Sequence, residues 1–129
     1  MKMNIADITN ILKQIKELYS SIKELSIALV DNFSEEALEK SLKIRENLLK
    51  ELYRKEAEFT RLRKVNSVSS YWDCSMLKNE ISDLIRDIIS LDSRINEKIT
   101  FSMRNIRQEL SSLHGSSKAA LAYSSQRRI

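Results

Sequence analysis

Apolar residues return at alternating steps of three and four along most of this chain, which is the spacing of helices that bury one face. In the first such segment the charged residues fall on the opposite side of the helix. The pattern predicts a first helix from about Met3 to Val30. Its apolar positions are Ile5, Ile8, Leu12, Ile15, Tyr19, Ile22, Leu25 and Leu29.

A short polar stretch, residues 31–34, separates this pattern from the next one. Small polar side chains bind nearby backbone groups and therefore favour helix ends. Asn32 has capping-box spacing to Glu35, and Ser34 is an equally good N-cap candidate. A second helix is predicted from about Glu35 to Lys64.

The apolar stripe of the second helix is thinner than that of the first. Arg45 and Glu56 stand at positions that a strict heptad would give to apolar residues. We therefore expect this helix to be the partly wet member of the fold. Its apolar positions are Leu38, Leu42, Leu48, Leu49, Leu52, Phe59 and Leu62.

The longest pattern follows a polar connection at residues 65–70. The interval from Ile95 to Ile106 is eleven residues, a stutter that locally unwinds a left-handed supercoil. Gly115 is expected to stop this third helix as its C′ residue, with His114 near the negative end of the helix dipole. The apolar positions are Leu77, Ile81, Leu84, Ile88, Leu91, Ile95, Ile99, Met103, Ile106, Leu110 and Leu113.

These elements predict an all-α fold in a single domain, residues 1–129. The expected architecture is an antiparallel bundle of three long helices, of which the third is the longest. At about 40 residues and about 60 Å, the third helix would overhang its partners, which reach about 40–45 Å. Residues 116–129 would form a short C-terminal helix, centred on Ala119–Tyr123, or a mobile tail.

Composition narrows the class of protein further. The 129 residues include no proline and one glycine, which argues against sheet folds because tight turns draw on both. A lone Cys74 excludes an internal disulfide and fits a reducing compartment. Charged residues make up 31%, and no uncharged apolar run reaches about 18 residues, so we expect a cytoplasmic protein without a membrane span.

The net charge of +4 arises in the C-terminal part of the chain. One interpretation is a solvated helix face followed by a basic tail, and the other is a docking strip for an acidic partner. Nucleic acid is not expected as a partner, because no helix-turn-helix spacing, aromatic platform or zinc site accompanies the charge. The docking strip would consist of Lys98, Arg104, Arg107 and Lys118.

Candidate catalytic chemistry is scarce. His114 is the sole histidine and has no acid three residues before it, so no metal site is predicted. Cys74 lacks an identifiable base and is interpreted as a packing residue. One glycine excludes a Gly-rich phosphate loop, and we expect no cofactor and no enzymatic activity. The weakest alternative is an enzyme, since Leu84–Ile95 resembles the start of the long helix in all-helical chorismate mutases.

Three features of the chain combine into one pattern. The first is a long first helix without a functional polar cluster. The second helix contains Arg45–Leu52, with the sequence Arg-Glu-Asn-Leu-Leu-Lys-Glu-Leu. The third helix contains Ile88–Ile95, with Leu-Asp-Ser-Arg-Ile at its end, and Lys118–Tyr123 then carries Lys-Ala-x-x-Ala-Tyr. Together these features resemble the flagellar export chaperones of the FliT/FlgN type over nearly the whole chain, and Lys118–Tyr123 leans towards the filament-cap chaperone.

The resemblance implies a function. Such chaperones hold an amphipathic terminal segment of a secreted subunit and deliver it to the export ATPase complex or export gate. The client would be a filament-cap or hook–filament junction protein, held as a helix in an apolar groove. The expected client-binding residues are Ile99, Met103, Ile106, Leu110 and Leu113, which Leu121 and Tyr123 of a gating tail would cover in the absence of client.

This chaperone hypothesis predicts a monomer or a weak homodimer. The main alternative is a structural coiled-coil protein, which would form a stable oligomer with the third helix buried between chains.

Overall fold

Three α-helices make up the described part of the chain. The computed structural model describes residues 5–65 and 71–127, with the side chains of 7–64 and 75–115. Helix α1 spans Ile5–Asp31, α2 spans Glu35–Val65 and α3 spans Tyr71–Arg127. These ranges contain no strand. The predicted all-α fold of three long helices, the third of them the longest, is confirmed.

The connection between α1 and α2 has the predicted chemistry. The Asn32 N–H donates to the Ala28 carbonyl at 3.1 Å and closes the last turn of α1. The Ser34 hydroxyl accepts a hydrogen bond from the Ala37 N–H at 3.0 Å, and the Leu38 N–H donates to the Ser34 carbonyl at 2.8 Å. Of the two candidates, Ser34 is therefore the N-cap of α2.

The chain divides into two compact units, Met1–Ile95 and Asn96–Ile129. The boundary lies inside α3, so the division does not test the predicted single domain over residues 1–129. All three helices contribute to the first unit, and the described part of the second unit consists of α3 alone.

The core of the first unit combines apolar residues from all three helices. Most of the apolar positions predicted for α1 and α3 within this unit are buried or half-buried. The central cluster consists of Ile8, Ile11, Leu12, Ile15, Ile22, Leu52, Leu62 and Ile88. Because these residues are far apart in sequence, the cluster joins the helices into one packed body.

One predicted core position in α2 is wrong. Leu42 is 55% exposed, whereas its neighbour Ser41 is 8% exposed. The buried side of α2 follows a heptad that runs from Ser41 through Arg45 and Leu48 to Leu52, and Leu42 lies about 100° away from it. Because Ser41 and Arg45 in this heptad are polar, the spacing of apolar residues does not reveal which side of α2 is buried.

Two ion pairs show the relative direction of α1 and α3 in the first unit. Lys16 Nζ lies 2.5 Å from Glu80 Oε2, and Lys23 Nζ lies 2.9 Å from Asp87 Oδ2. The step is seven residues along both helices, so these two segments run parallel. Helix α2 lies between them in sequence.

The predicted stop at Gly115 is wrong. Helix α3 continues to Arg127, and no glycine has a positive φ. A C′ residue needs the left-handed conformation, whereas a glycine inside a helix costs only about 1 kcal/mol relative to alanine. Good helix formers on both sides, including Leu113 and Ala119, outweigh that cost. His114 consequently lies inside the helix and not at its end.

The C-terminal helix is not a separate element, for the same reason, since residues 116–127 continue α3. The side chains of Leu121 and Tyr123 lie outside the described residues. Their gating role stays a prediction, and it would require α3 to break near Gly115 before the tail could fold back.

Replacing Gly115 by alanine should strengthen α3. An added Cβ meets no atom within 4 Å, so only the backbone preference changes. We expect a gain of about 1 kcal/mol in local helix stability. Circular dichroism should show more helix, and amide hydrogen exchange around residue 115 should slow.

Two variants calibrate this result. Ser112→Ala, one turn earlier, should give a smaller gain, and Gly115→Pro should break the helix. A loss of helix in Gly115→Ala would indicate a left-handed glycine and restore the predicted stop.

Candidate functional site

The five predicted client-binding residues form one exposed face of α3 in the second unit. At 3.6 residues per turn, they fall within an arc of about 80°. Ile99 is half-buried, and the others are between 40% and 66% exposed. We call this set, which consists of Ile99, Met103, Ile106, Leu110 and Leu113, the α3 apolar face.

No described side chain covers this face. Within residues 96–115 every side chain is exposed or intermediate. Earlier in the same helix, Ile88 and Ile95 are each only 7% exposed. A contiguous apolar face that remains open to solvent is typical of a binding surface.

Phe101 is an exposed apolar residue that sequence reasoning missed. It is 66% exposed and lies about 160° from the centre of the α3 apolar face. Because it is off the three–four spacing, the search for an amphipathic stripe did not detect it. It belongs to the opposite side of the helix.

The predicted basic strip does not form a single line. Lys98 and Arg107 lie at opposite borders of the α3 apolar face, and Arg104 lies beyond Arg107 on the same side. Glu109 shares the border with Lys98. The side chain of Lys118 lies outside the described residues. The structure thus brings two cations to the edges of the apolar face.

These cations differ from those of the first unit in their pairing. Ion pairs link the first unit's helices to one another and stabilise successive turns of α2. Among the described side chains, none pairs with Lys98, Arg104 or Arg107. Their charges are available to a partner.

Arg45 and Asp92 form the best-defined ion pair in the first unit. Arg45 Nη1 and Nη2 donate to the two carboxylate oxygens of Asp92 at 2.6 and 2.8 Å. The side chains are 24% and 36% exposed, respectively. The hydrogen bond to Asp92 raises the pKa of Arg45 above its ordinary value, and burial opposes that change. This bidentate ion pair links α2 to α3.

Tyr19 and Glu56 form a second polar contact, between α1 and α2. The Tyr19 hydroxyl donates to Glu56 Oε1 at 2.7 Å. Burial raises the pKa of Tyr19 well above its ordinary value, and the hydrogen bond and charge of Glu56 add to the rise. The structure therefore explains the two polar heptad positions of α2, since Arg45 and Glu56 both have partners on neighbouring helices.

The segment similar to chorismate mutases does not gather its charges at one point. Arg86 Nη1 lies 3.9 Å from Asp83 Oδ1 in its own helix, whereas Asp87 contacts Lys23 and Asp92 contacts Arg45. These side chains have separate partners on three helices. Such an arrangement favours structural ion pairs over a shared substrate pocket.

The described residues contain no group of three or more His, Cys, Asp or Glu side chains that is suited to a metal ion. None of the helices in the described ranges has both the length and the apolar character needed to cross a membrane. The predicted packing role of Cys74 concerns a side chain outside those ranges.

No protein family, curated protein or solved structure matches this chain. The resemblance to flagellar export chaperones therefore depends on the residues quoted above, and function follows as a proposal.

The Arg45–Asp92 pair should contribute measurably to stability. A double-mutant cycle with Arg45→Met and Asp92→Ala should give a coupling free energy of about 1–2 kcal/mol, between the values for exposed and buried pairs. Urea unfolding of the four proteins measures it.

The control is the exposed pair Glu36–Lys40, four residues apart in α2, whose side chains are 80% and 73% exposed. The cycle with Glu36→Ala and Lys40→Met should give about 0.3–0.5 kcal/mol. Equal couplings in the two cycles would contradict a special role for Arg45.

Tyr19 should make the fold sensitive to alkali. Its pKa is raised in the folded state, so above about pH 10 the unfolded chain loses a proton that the native chain retains, and stability falls as pH rises. One such group contributes at most about 1.4 kcal/mol per pH unit, less any solvent screening at this half-buried site.

Urea unfolding between about pH 9 and pH 11 tests this sign. Tyr19→Phe should flatten the decline, and Glu56→Gln, which keeps an acceptor without the charge, should flatten it less because burial is the larger cause. An unchanged slope in Tyr19→Phe would refute the assignment.

Proposed function

We propose that this chain is a flagellar export chaperone whose α3 apolar face holds a terminal amphipathic helix of a secreted subunit. The exposure of Ile106, Leu110 and Leu113 on one side of α3 carries the proposal. A helix with apolar anchors at positions i, i+3, i+4 and i+7 matches the spacing of this face. The client is a filament-cap or hook–filament junction protein.

The binding energy fits a carrier that must release its client. Full burial of a Leu or Ile side chain contributes about 1.5–3 kcal/mol, so five partly exposed positions contribute on the order of 5 kcal/mol. A matching client face adds a similar amount. The loss of translational and rotational freedom on association costs about 4–15 kcal/mol. At most about 6 kcal/mol remains, so we expect a Kd of about tens of micromolar or weaker.

Binding covers the α3 apolar face and the apolar face of the client helix at the same time. While the client helix lies on α3, its own apolar face is unavailable for assembly with other subunits. The chaperone then brings it to the export ATPase complex or export gate in the cytoplasm. No cofactor enters this scheme, because binding and release depend only on contacts between helices.

A structural coiled coil is the second candidate, and the continuity of α3 favours it. The helix contains 57 residues without a break, and its apolar face has heptad spacing from Ile99 to Leu113. A second copy of the chain would cover the same face. Sedimentation equilibrium at low concentration separates the candidates, since a stable dimer favours the coiled coil.

Placing two charges in the α3 apolar face should abolish client binding. Ile106→Glu with Leu110→Glu should raise the Kd for purified terminal segments of the filament-cap and hook–filament junction proteins more than about tenfold. Both side chains are already exposed, so circular dichroism should show an intact helix. Isothermal titration calorimetry measures the Kd.

Gln108→Glu with Ser112→Glu is the matched control. It adds the same charge at the same four-residue spacing, on the opposite side of α3. Client affinity should stay within about threefold of the original. Failure of the unmodified chain to bind either segment, or equal binding by the Ile106/Leu110 variant, would refute the proposal.

A further inference from the structure

The net charge of the chain resides in its second unit. Asn96–Ile129 contains two acidic residues, Glu97 and Glu109, and six basic ones. This balance of +4 equals the net charge of the whole protein, so the first unit is neutral. The six basic residues are Lys98, Arg104, Arg107, Lys118, Arg127 and Arg128.

The charges nearest to the α3 apolar face are mainly positive and unpaired. Lys98 and Arg107 lie at its two borders, Arg104 lies one turn before Arg107, and none of the three has an ion-pair partner among the described side chains. Glu109 is the one acid at a border, and Glu97 lies on the opposite side of the helix. A partner that covers the apolar face therefore meets a cation on either side.

A second copy of this chain is a poor match for such borders. Two copies would bring together second units that each carry a formal charge of +4, and like charges oppose association. An acidic partner would instead gain attraction from Arg107 and Arg104 at one border and from Lys98 at the other, where Glu109 offsets part of it. The charges thus discriminate between occupants that an apolar face alone accepts equally.

We infer that the occupant of the α3 apolar face is an amphipathic helix whose own apolar stripe is bordered by Asp and Glu. Lys98 and Arg107 contact those carboxylates while Ile106 and its neighbours contact the stripe. This inference builds on the proposed function, because it specifies the chemistry of the client helix held there.

Two synthetic peptides test the inference directly. Each has about 18 residues, or about five helical turns, and both share one apolar stripe. Their border positions are all Glu in one peptide and all Lys in the other. Fluorescence anisotropy with the full chain should show at least about tenfold tighter binding of the Glu peptide at about 50 mM salt, and a smaller ratio at about 300 mM.

Charge reversal gives the second arm. Lys98→Glu with Arg107→Glu should reverse the preference, so that the Lys peptide binds more tightly. The control, Lys13→Glu with Arg61→Glu, makes the same change in charge at exposed positions of the first unit and should keep the preference for the Glu peptide.

The outcomes separate this inference from the function on which it builds. Equal binding of the two peptides, or tighter binding of the Lys peptide, would overturn the acidic partner while leaving a helix-binding face. Absence of binding by both peptides and by the flagellar segments would overturn both proposals. Loss of Glu-peptide binding when the chain self-associates would assign the face to a second copy. Displacement of the Glu peptide by an oligonucleotide at equal concentration would assign the face to nucleic acid.

Discussion

A helix with one apolar face needs a partner along that whole face, and α3 is about twice as long as either helix that could supply one. It has 57 residues, against 27 in α1 and 31 in α2. The same spacing of apolar residues therefore has two outcomes. Ile88 is 7% exposed inside the first unit, whereas Leu110 is 60% exposed in the second. The function proposed for the chain depends on this mismatch in length.

Polar contacts determine how the first unit aligns its helices. An apolar seam tolerates shifts along the helix axis, because one Leu layer resembles the next. The fork of Arg45 on Asp92 and the hydrogen bond from Tyr19 to Glu56 are satisfied only in one alignment. Besides any stability that they contribute, such contacts favour the layers that satisfy them.

Local chemistry made much of the fold predictable. Periodicity located the helices, and small polar residues located the start of α2 with Asn32 and Ser34 as equal N-cap candidates, between which the structure selects Ser34. The errors have physical causes. Gly115 was expected to stop α3, although one glycine costs only about 1 kcal/mol in a helix. The partner of Arg45 lies 47 residues away, at a distance in sequence that spacing rules do not reach.

The candidate site was predictable as a set of positions but not as a surface. The spacing from Ile99 to Leu113 predicted the apolar face, whereas its exposure to solvent is visible only in the structure. The four basic residues grouped as one strip are close in sequence, yet helix geometry separates Lys98 from Arg107 by about 180°. Spacing along the sequence alone misses this separation, because it does not include the angle of each residue around the helix axis.

The positive charge of the second unit also opposes the self-association that its exposed apolar face promotes. An exposed stripe of Ile, Met and Leu promotes association between identical chains. The mainly positive charge around that stripe opposes such contacts at distances up to about 8–10 Å at physiological salt. The same charge attracts a partner of opposite sign. In the proposed function, the same charge would keep copies apart and select the occupant while the α3 apolar face is uncovered.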